Sequence, residues 1–395
     1  MKLFAIFIIL MGCTLNAFAK GFDPAPIRVT DGFSIVPQVE AGLRYDDNIY
    51  NQEGDTTSSS IYIVKPSLKF GVDDGINRYG GIYQLTSATY SNGSDDDYVD
   101  HYLSLLAHTE YSDKHRTDFK FSFANLHEDR GSGLSEGNSS AISEPLKYNE
   151  FVTSGYYQYG GMDALMRIGG GVFFTNTTYQ NFKATTKYDD VNELKFLFDA
   201  DYQVGDVTYL TFDIYTTDIQ YAHLEAGEDS SDNLDSRALI GFKWAGLSKT
   251  IITMKTGYQY KTFESDNREN FSGNTFEIGI NWKPREYSSF IANFSREAQD
   301  SDTDGDYILE LESSIKWKHE WTDDFNSTIN FVYTDEDYIG FTRNDRTREL
   351  SLDLNYDLTR WMQIKAGYEF TNKNSNQTDI SYDENIVNLG VVVAL

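Results

Sequence analysis

The chain has 395 residues, with 33 Lys plus Arg against 61 Asp plus Glu, a formal net charge of −28. That balance argues against nucleic-acid binding, which needs a basic surface. With 28 Tyr, 26 Phe, 30 Gly, only 6 Pro and 40% hydrophobic residues, the chain is too polar for a helical membrane protein. It suits strands whose two faces alternate between lipid and water.

Residues 1–19 (MKLFAIFIILMGCTLNAFA) join Lys2, an apolar run from Leu3 to Leu15 and the small-residue pattern Ala17-Phe18-Ala19. They read as an export signal cut before Lys20. Leu10-Met11-Gly12-Cys13 loosely resembles a lipoprotein cleavage site, but cutting there would leave an unusually short signal. Loss of residues 1–19 removes Cys13, the single cysteine, and with it disulfides and thiolate metal sites. Residues 20–32 hold two prolines and no alternation, and read as a periplasmic lead-in. No other stretch is long and apolar enough for a transmembrane helix.

From Phe33 to Leu395, alternating segments recur at roughly forty residues per hairpin. Phe33, Ile35, Val39, Ala41, Leu43 and Tyr45 share one face of the first segment; Tyr62, Val64, Leu68, Phe70 and Val72 share one face of the second. Leu194/Phe196/Phe198/Ala200/Tyr202 and Leu350/Leu352/Leu354/Tyr356 repeat the pattern later. Glycine blurs the apolar face in Gly80 to Tyr90 and Leu165 to Phe174. Short connections such as Asp73–Asn77, Gly205–Asp206 and Leu358–Arg360 alternate with longer polar ones such as His127–Lys147, Ala222–Leu234 and Asp335–Arg346. The last segment, Asn385 to Leu395, sets Val387, Leu389, Val391, Val393 and Leu395 on one face. A bare terminal edge strand invites aggregation; in a barrel it closes the ring by pairing with the first strand. The reading is an all-β fold over residues 33–395: a transmembrane antiparallel β-barrel of about eighteen strands, with short periplasmic turns and long acidic extracellular loops. All five tryptophans, Trp244, Trp282, Trp317, Trp321 and Trp361, lie beside short turns. They are expected to form an aromatic girdle at the periplasmic boundary.

The histidines are scattered, no zinc spacing occurs and no nucleophile motif appears, so the chain reads as a non-enzyme. The acidic runs fall in the long loops. Within one of them Asp300, Asp302 and Asp304, followed by Gly305, match the first half of a calcium loop. Leu311 stands where the bidentate carboxylate belongs. The run therefore reads either as a solvated acidic loop or as a calcium site, alone or bridging to lipopolysaccharide; no other cofactor is expected. The expected lumen face carries both signs, with Lys65, Lys120 and Lys255 among its cations and Glu40, Glu277 and Asp353 among its anions. Mixed charge argues against a strongly ion-selective pore. Tyr102, Tyr148, Tyr156, Tyr209 and Tyr215 also face inward. They read either as a stacking track for sugar rings or as the overflow of a tyrosine-rich composition.

Asp31 to Tyr50 (DGFSIVPQVEAGLRYDDNIY) carries Pro37, Gly42, Tyr45, Asp46, Asp47, Asn48, Ile49 and Tyr50 in a "P-x-x-x-x-G-x-x-Y-D-D-N-I-aromatic" run. It resembles the opening strand of a family of outer-membrane barrel porins. Several members of that family are encoded in exopolysaccharide operons, among them the barrel proteins of the Vibrio polysaccharide and methanolan-type clusters. The resemblance implies a Gram-negative outer-membrane channel that exports polysaccharide, with a periplasmic polysaccharide-export protein docked below. Its other expected partners are the lipid bilayer, lipopolysaccharide and the barrel-assembly machinery. The alternatives are a general diffusion or uptake porin and a surface structural or adhesive barrel.

Overall fold

The structure is a computed structural model describing residues 22–30, 32–161, 163–246, 249–301 and 303–395. The expected export signal lies outside the described residues. The chain opens with β1 (Ile27–Thr30), β2 (Phe33–Asp46), β3 (Ser59–Asp73), β4 (Arg78–Tyr90), β5 (Tyr98–Ser112) and β6 (His115–Glu128). Then come β7 (Leu146–Tyr159), β8 (Met166–Tyr179), β9 (Val191–Gly205), β10 (Thr208–Tyr221), β11 (Asn233–Trp244) and β12 (Thr250–Phe263). The remainder is β13 (Phe271–Arg285), β14 (Ser288–Asp300), β15 (Tyr307–Glu320), β16 (Phe325–Ile339), β17 (Arg343–Thr359), β18 (Met362–Ser375) and β19 (Tyr382–Ala394).

From β2 to β19 each strand pairs antiparallel with the next, and the 18 strands close into a ring. Closure is the β19–β2 ladder, from Ile386↔Asp46 to Ala394↔Gln38. Closing the ring leaves no free edge, so every backbone group of the spanning segments finds a partner without water. Below Gln38 the same edge of β2 is taken by β1, with Ile27 opposite Ile35. Sequence reading missed this strand inside the lead-in, because four residues following Pro24 and Pro26 are too few to show alternation. Leu395 N–H donates to the Pro37 carbonyl, and Asp23 N–H to that of Arg360, which ties both ends to the same rim.

The pleat sends alternate side chains out and in. Outward positions hold large exposed apolar residues, among them Leu43, Tyr62, Phe196, Ile240, Phe331, Leu350 and Leu389. In a soluble protein such a belt would be a liability; in a bilayer it is the contact surface. All five tryptophans fall at the short-turn rim. Trp317 Nε1 donates to Ser288 Oγ at 3.0 Å and Trp321 Nε1 to Ser327 Oγ at 2.9 Å. Phe290 stacks on Trp317, with ring centres 5.8 Å apart and planes 5° apart.

The opposite rim differs in detail from its sequence reading. Asp335–Arg346 reads as a long loop, yet β16 runs to Ile339 and β17 resumes at Arg343. Likewise β18 extends to Ser375 and β19 begins at Tyr382. Polarity marks the end of the lipid belt, not the end of the ladder, because backbone pairing continues into water. The connection between β6 and β7, in contrast, is long and folds inward.

Candidate functional site

The 129–145 connection leaves β6 and crosses the mouth toward β17 and β18. Its root is fixed by Arg130, whose guanidinium donates to both Asp96 carboxylate oxygens at 2.6 Å and to the Tyr50 hydroxyl. The same guanidinium lies 4.4 Å from the centre of the Tyr50 ring. Tyr50 in turn donates to Asp96 at 2.9 Å. Burial, with the Asp96 carboxylate second, pushes the Tyr50 phenol up to about 12, so it remains a donor throughout the physiological range. Gly131 has φ +86°, and a Cβ there would stand 1.9 Å from the Tyr50 carbonyl oxygen. Gly131→Ala is therefore expected to lift the root of the loop at a cost on the order of 1–3 kcal/mol. The check is faster limited proteolysis within 129–145 of the folded barrel.

The far end of the loop is held by Glu136. Its carboxylate meets Arg343 of β17 at 2.5 Å and Lys373 of β18, and both cations also contact Asp345. The Arg343 side chain is 1% exposed and that of Asp345 is 0%. Arg343 donates as well to Thr303 Oγ1 at 3.4 Å and lies 3.6 Å from Asp304, linking the β14–β15 connection to the same knot. Beneath the loop, Leu146, Tyr148 and Tyr179 form a small core against Leu126, Leu134, Ile142 and Phe182.

A second intrusion comes from the upper end of β14. Above Phe276↔Arg296 the β13–β14 ladder stops, and β14 leans over the inner face of β11 and β12. Gln259 of β12 replaces the missing strand pairing: its amide donates to the Ala298 carbonyl and accepts the Ala298 N–H, each at 2.8 Å. Buried Lys261 meets Asp300 at 2.8 Å and donates to Asn233 at 2.8 Å, while Arg237 pairs with Glu297. Phe263, Phe271, Ala298 and Tyr307 close the space between.

Below these constrictions the inner wall carries charge in two sectors. Near the seam, Glu40 lies 2.9 Å from Lys365 and 3.9 Å from Lys65. Arg44 donates to Asn388 Oδ1 at 3.1 Å, and Asn388 donates to Glu369 at 2.8 Å. With Asp353, Asn355 and Thr328 they line a cavity of about 420 Å³. The opposite sector, β7 to β12, pairs tyrosines with ions. Tyr156 donates to Asp199 at 2.9 Å, Arg167 lies 5.3 Å from the Tyr209 ring centre and Lys195 lies 4.7 Å from that of Tyr215. Lys255 pairs with Asp213. Lys120 lies on the inner face of β6 opposite Ser154, and Tyr102 on that of β5 between Gln84 and Ala124.

The structure therefore does not gather the sequence-picked lumen residues into one site. Tyr156, Tyr209, Tyr215 and Lys255 share one sector, Lys65 faces the other, and Tyr148 is packed under the loop. Of the calcium candidates, Asp300 faces Lys261 and Asp304 faces Arg343, while Asp302 lies outside the described residues; no group of three metal-ligating side chains occurs among the described residues. The run at the end of β2 ties the seam. Asp46 accepts the Asn48 N–H at 2.8 Å, and Asp47 accepts the N–H and side-chain amide of Asn385 at 2.7 and 2.8 Å. Asn48 side-chain amide donates to the Gln52 and Asp383 carbonyls, and Ile49 packs with Ile61, Ile63, Ala88 and Tyr90. Gly42 sits opposite Gly390, and Tyr45 faces outward. Sequence reasoning missed Arg130, Glu136 and Arg343, and read Asp96 only as part of the acidic loop run Asp95-Asp96-Asp97. Each is an ordinary charged residue whose partner lies far along the chain.

Among solved structures, the chain is similar to OccK9 (OpdG) of Pseudomonas aeruginosa, at 11% identity and TM-score 0.51 over 92% of this chain and 99% of that one. It is also similar to OccK2 (OpdF) of the same organism, at 8% identity and TM-score 0.51 over 92% and 98%. It spans only 62% of the FrpB iron transporter from Neisseria meningitidis, at 10% identity, 86% of this chain and TM-score 0.48. Identities this low speak to fold alone. No curated protein matches the chain significantly. The family model described as "Putative beta-barrel porin 2" matches residues 20–395, and the chain belongs to that family of outer-membrane β-barrels.

Proposed function

We propose that the barrel is a passive, non-enzymatic channel for small hydrophilic solutes. The carrying observation is the lumen: its mouth is narrowed by the 129–145 loop tied across to β17 and β18, and a cavity lined by both signs of charge lies on its inner wall. Paired charges of both signs suit neutral and dipolar solutes better than a single ion type. The acidic loops add a screened external field. In planar bilayers a salt gradient is therefore expected to give mild cation preference at low salt. That preference should vanish near 1 M, where the screening length falls to about 3 Å. Swelling of proteoliposomes in small sugars and amino acids should be fast, and in long glycans negligible. Strong ion selectivity at high salt, or no solute flux, would refute this reading.

The second reading is export of an exopolysaccharide, supported by the resemblance of the Pro37–Tyr50 run to barrels of exopolysaccharide operons. It requires the 129–145 loop to leave the lumen and a periplasmic export protein to dock at the short-turn rim. Deleting the gene would separate the two readings. Lost surface polymer with periplasmic accumulation favours export, and intact polymer with altered solute permeability favours the diffusion channel.

A further inference from the structure

Three neighbouring strands at the seam each turn a glycine inward beside polar positions. On β2 the inward run is Glu40, Gly42 and Arg44; on β18 it is Lys365, Gly367 and Glu369; between them β19 contributes Asn388 and Gly390. Gly42 lies opposite Gly390, and Gly367 opposite Asn388. The missing side chains merge into one dent, the floor of the 420 Å³ cavity, where a ligand can approach the backbone closely. β2 and β18 both run upward from the short-turn rim, yet their charges stand in opposite order. Glu40 lies below Arg44, whereas Lys365 lies below Glu369.

The lower pair is closed, with Glu40 2.9 Å from Lys365 and Lys65 3.9 Å away on the other side. The upper pair has the same offset across β19 but is held open by Asn388. Arg44 Nε donates to Asn388 Oδ1 at 3.1 Å, and Asn388 Nδ2 donates to Glu369 at 2.8 Å. A guanidinium only donates and a carboxylate only accepts, so the carboxamide must present its oxygen to one and its NH2 to the other. The two Nη groups of Arg44 make no hydrogen bond among the described residues, and neither Arg44 nor Glu369 has an ion pair there. Asp353, in the same row as Arg44 and Asn388 beyond Gly367, is a second carboxylate without an ion pair among the described residues. The cavity thus has a cationic flank on β2 and an anionic flank on β17 and β18. Three more carboxylates stand above it without lining it: Asp46 on β2, and Glu349 and Glu384 one pleat higher. They repel a ligand whose only charge is negative; a ligand carrying both signs escapes that penalty.

We propose that this dent binds the zwitterion of a free α-amino acid. Its carboxylate sits on the Nη groups of Arg44, and its ammonium lies between Glu369 and Asp353. Such a molecule repeats over the glycine floor what Asn388 already does in the wall. It offers an acceptor to Arg44 and a donor to Glu369, a few ångströms apart, but with full charges that make both hydrogen bonds stronger. The inference deepens the diffusion-channel reading and rests on it for the delivery of solute, whereas occupancy itself requires no passage.

The test titrates the whole barrel in detergent micelles by saturation-transfer NMR, at about pH 6 where α-ammonium groups are charged. The probes are L-alanine, the cation L-alaninamide, the anion N-acetyl-L-alanine and the neutral N-acetyl-L-alaninamide. L-Alanine is expected to bind about fivefold more tightly than L-alaninamide, and more tightly still than the other two. Arg44→Gln should erase the preference over L-alaninamide, and Glu369→Gln with Asp353→Asn the preference over N-acetyl-L-alanine. Arg44→Lys, which keeps the charge, should retain most of the first preference and covers the case in which the Gln variant fails to fold. Gly367→Met alters no charge but fills the dent, and a Cβ there meets nothing closer than 3.4 Å. It should weaken L-alanine to the level of the neutral probe. Equal binding of all four probes, or an unaltered preference in a folded Arg44→Gln variant, would overturn the proposal. Proteoliposome swelling in L-alanine separates the two readings: preferential binding without flux upholds the site and refutes the channel, and flux with equal binding does the reverse.

Discussion

Glu136→Gln is expected to raise mean single-channel conductance and to introduce flicker between a narrow and a wide level. The substitution keeps volume while removing one charge, and it replaces one of the two carboxylate oxygens that accept from Arg343 and Lys373 with an amide N–H donor. In the parent protein Glu136 and Asp345 balance Arg343 and Lys373, and the Arg343 and Lys373 side chains are only 1% and 12% exposed. After the change, the two nearly buried cations share Asp345, with only the half-exposed Asp304, 3.6 Å from Arg343, to help. Removing one partner of such a pair typically costs on the order of 3–5 kcal/mol. The channel can relieve that cost by letting the loop swing away so that water reaches the cations. At about 1.4 kcal/mol per tenfold, the detached population rises at least a hundredfold. The Arg130–Asp96–Tyr50 clasp is untouched, so the loop stays attached at its root. That is why flicker is expected instead of a permanently wide pore. Because the pair is buried, the effect should persist at 1 M salt, where surface electrostatics are suppressed. Conductance equal to that of the parent would show that the loop does not limit flow.

This knot was invisible in the sequence for a physical reason. Strand rhythm, the outward apolar belt and the tryptophan rim are set by local alternation and turn chemistry, and all three could be read directly. Glu136 and Arg343 are 207 residues apart, and nothing near either marks it. Their meeting depends on ring closure, which brings β17 and β18 within reach of the loop that follows β6. The Asp300–Asp304 run shows the converse failure. Its spacing suggests a cation loop, but spacing carries no information about Lys261 and Arg343, which the infolding of β14 sets opposite Asp300 and Asp304. The Pro37–Tyr50 run was legible as a family resemblance, and its physical work appears only once β19 lies beside β2.

That work leads to the largest expected effect on stability, at Asn48. Its side chain is fully buried, accepts the Gln52 N–H at 2.9 Å and donates to the Gln52 and Asp383 carbonyls, each at 2.9 Å. Asp383 belongs to β19, so Asn48 bridges the seam just above the last ladder pair, Ile386↔Asp46. Asn48→Ala leaves a backbone N–H and two carbonyls short of partners, at about 1–3 kcal/mol for each orphaned group that water cannot reach. A lower urea midpoint for the folded barrel in lipid vesicles is the expected result, together with loss of heat-modifiable mobility at a lower temperature. The isosteric Asn48→Asp separates packing from hydrogen bonding. If Asn48 only filled space, aspartate would serve nearly as well. If donation to the two carbonyls holds the seam, aspartate must be worse than alanine. It can no longer donate, and it places a third carboxylate beside Asp46 and Asp47 at a side chain that has no solvent exposure. The expected order of stability is Asn above Ala above Asp, and an aspartate variant as stable as the parent would show that the seam is held by the ladder alone.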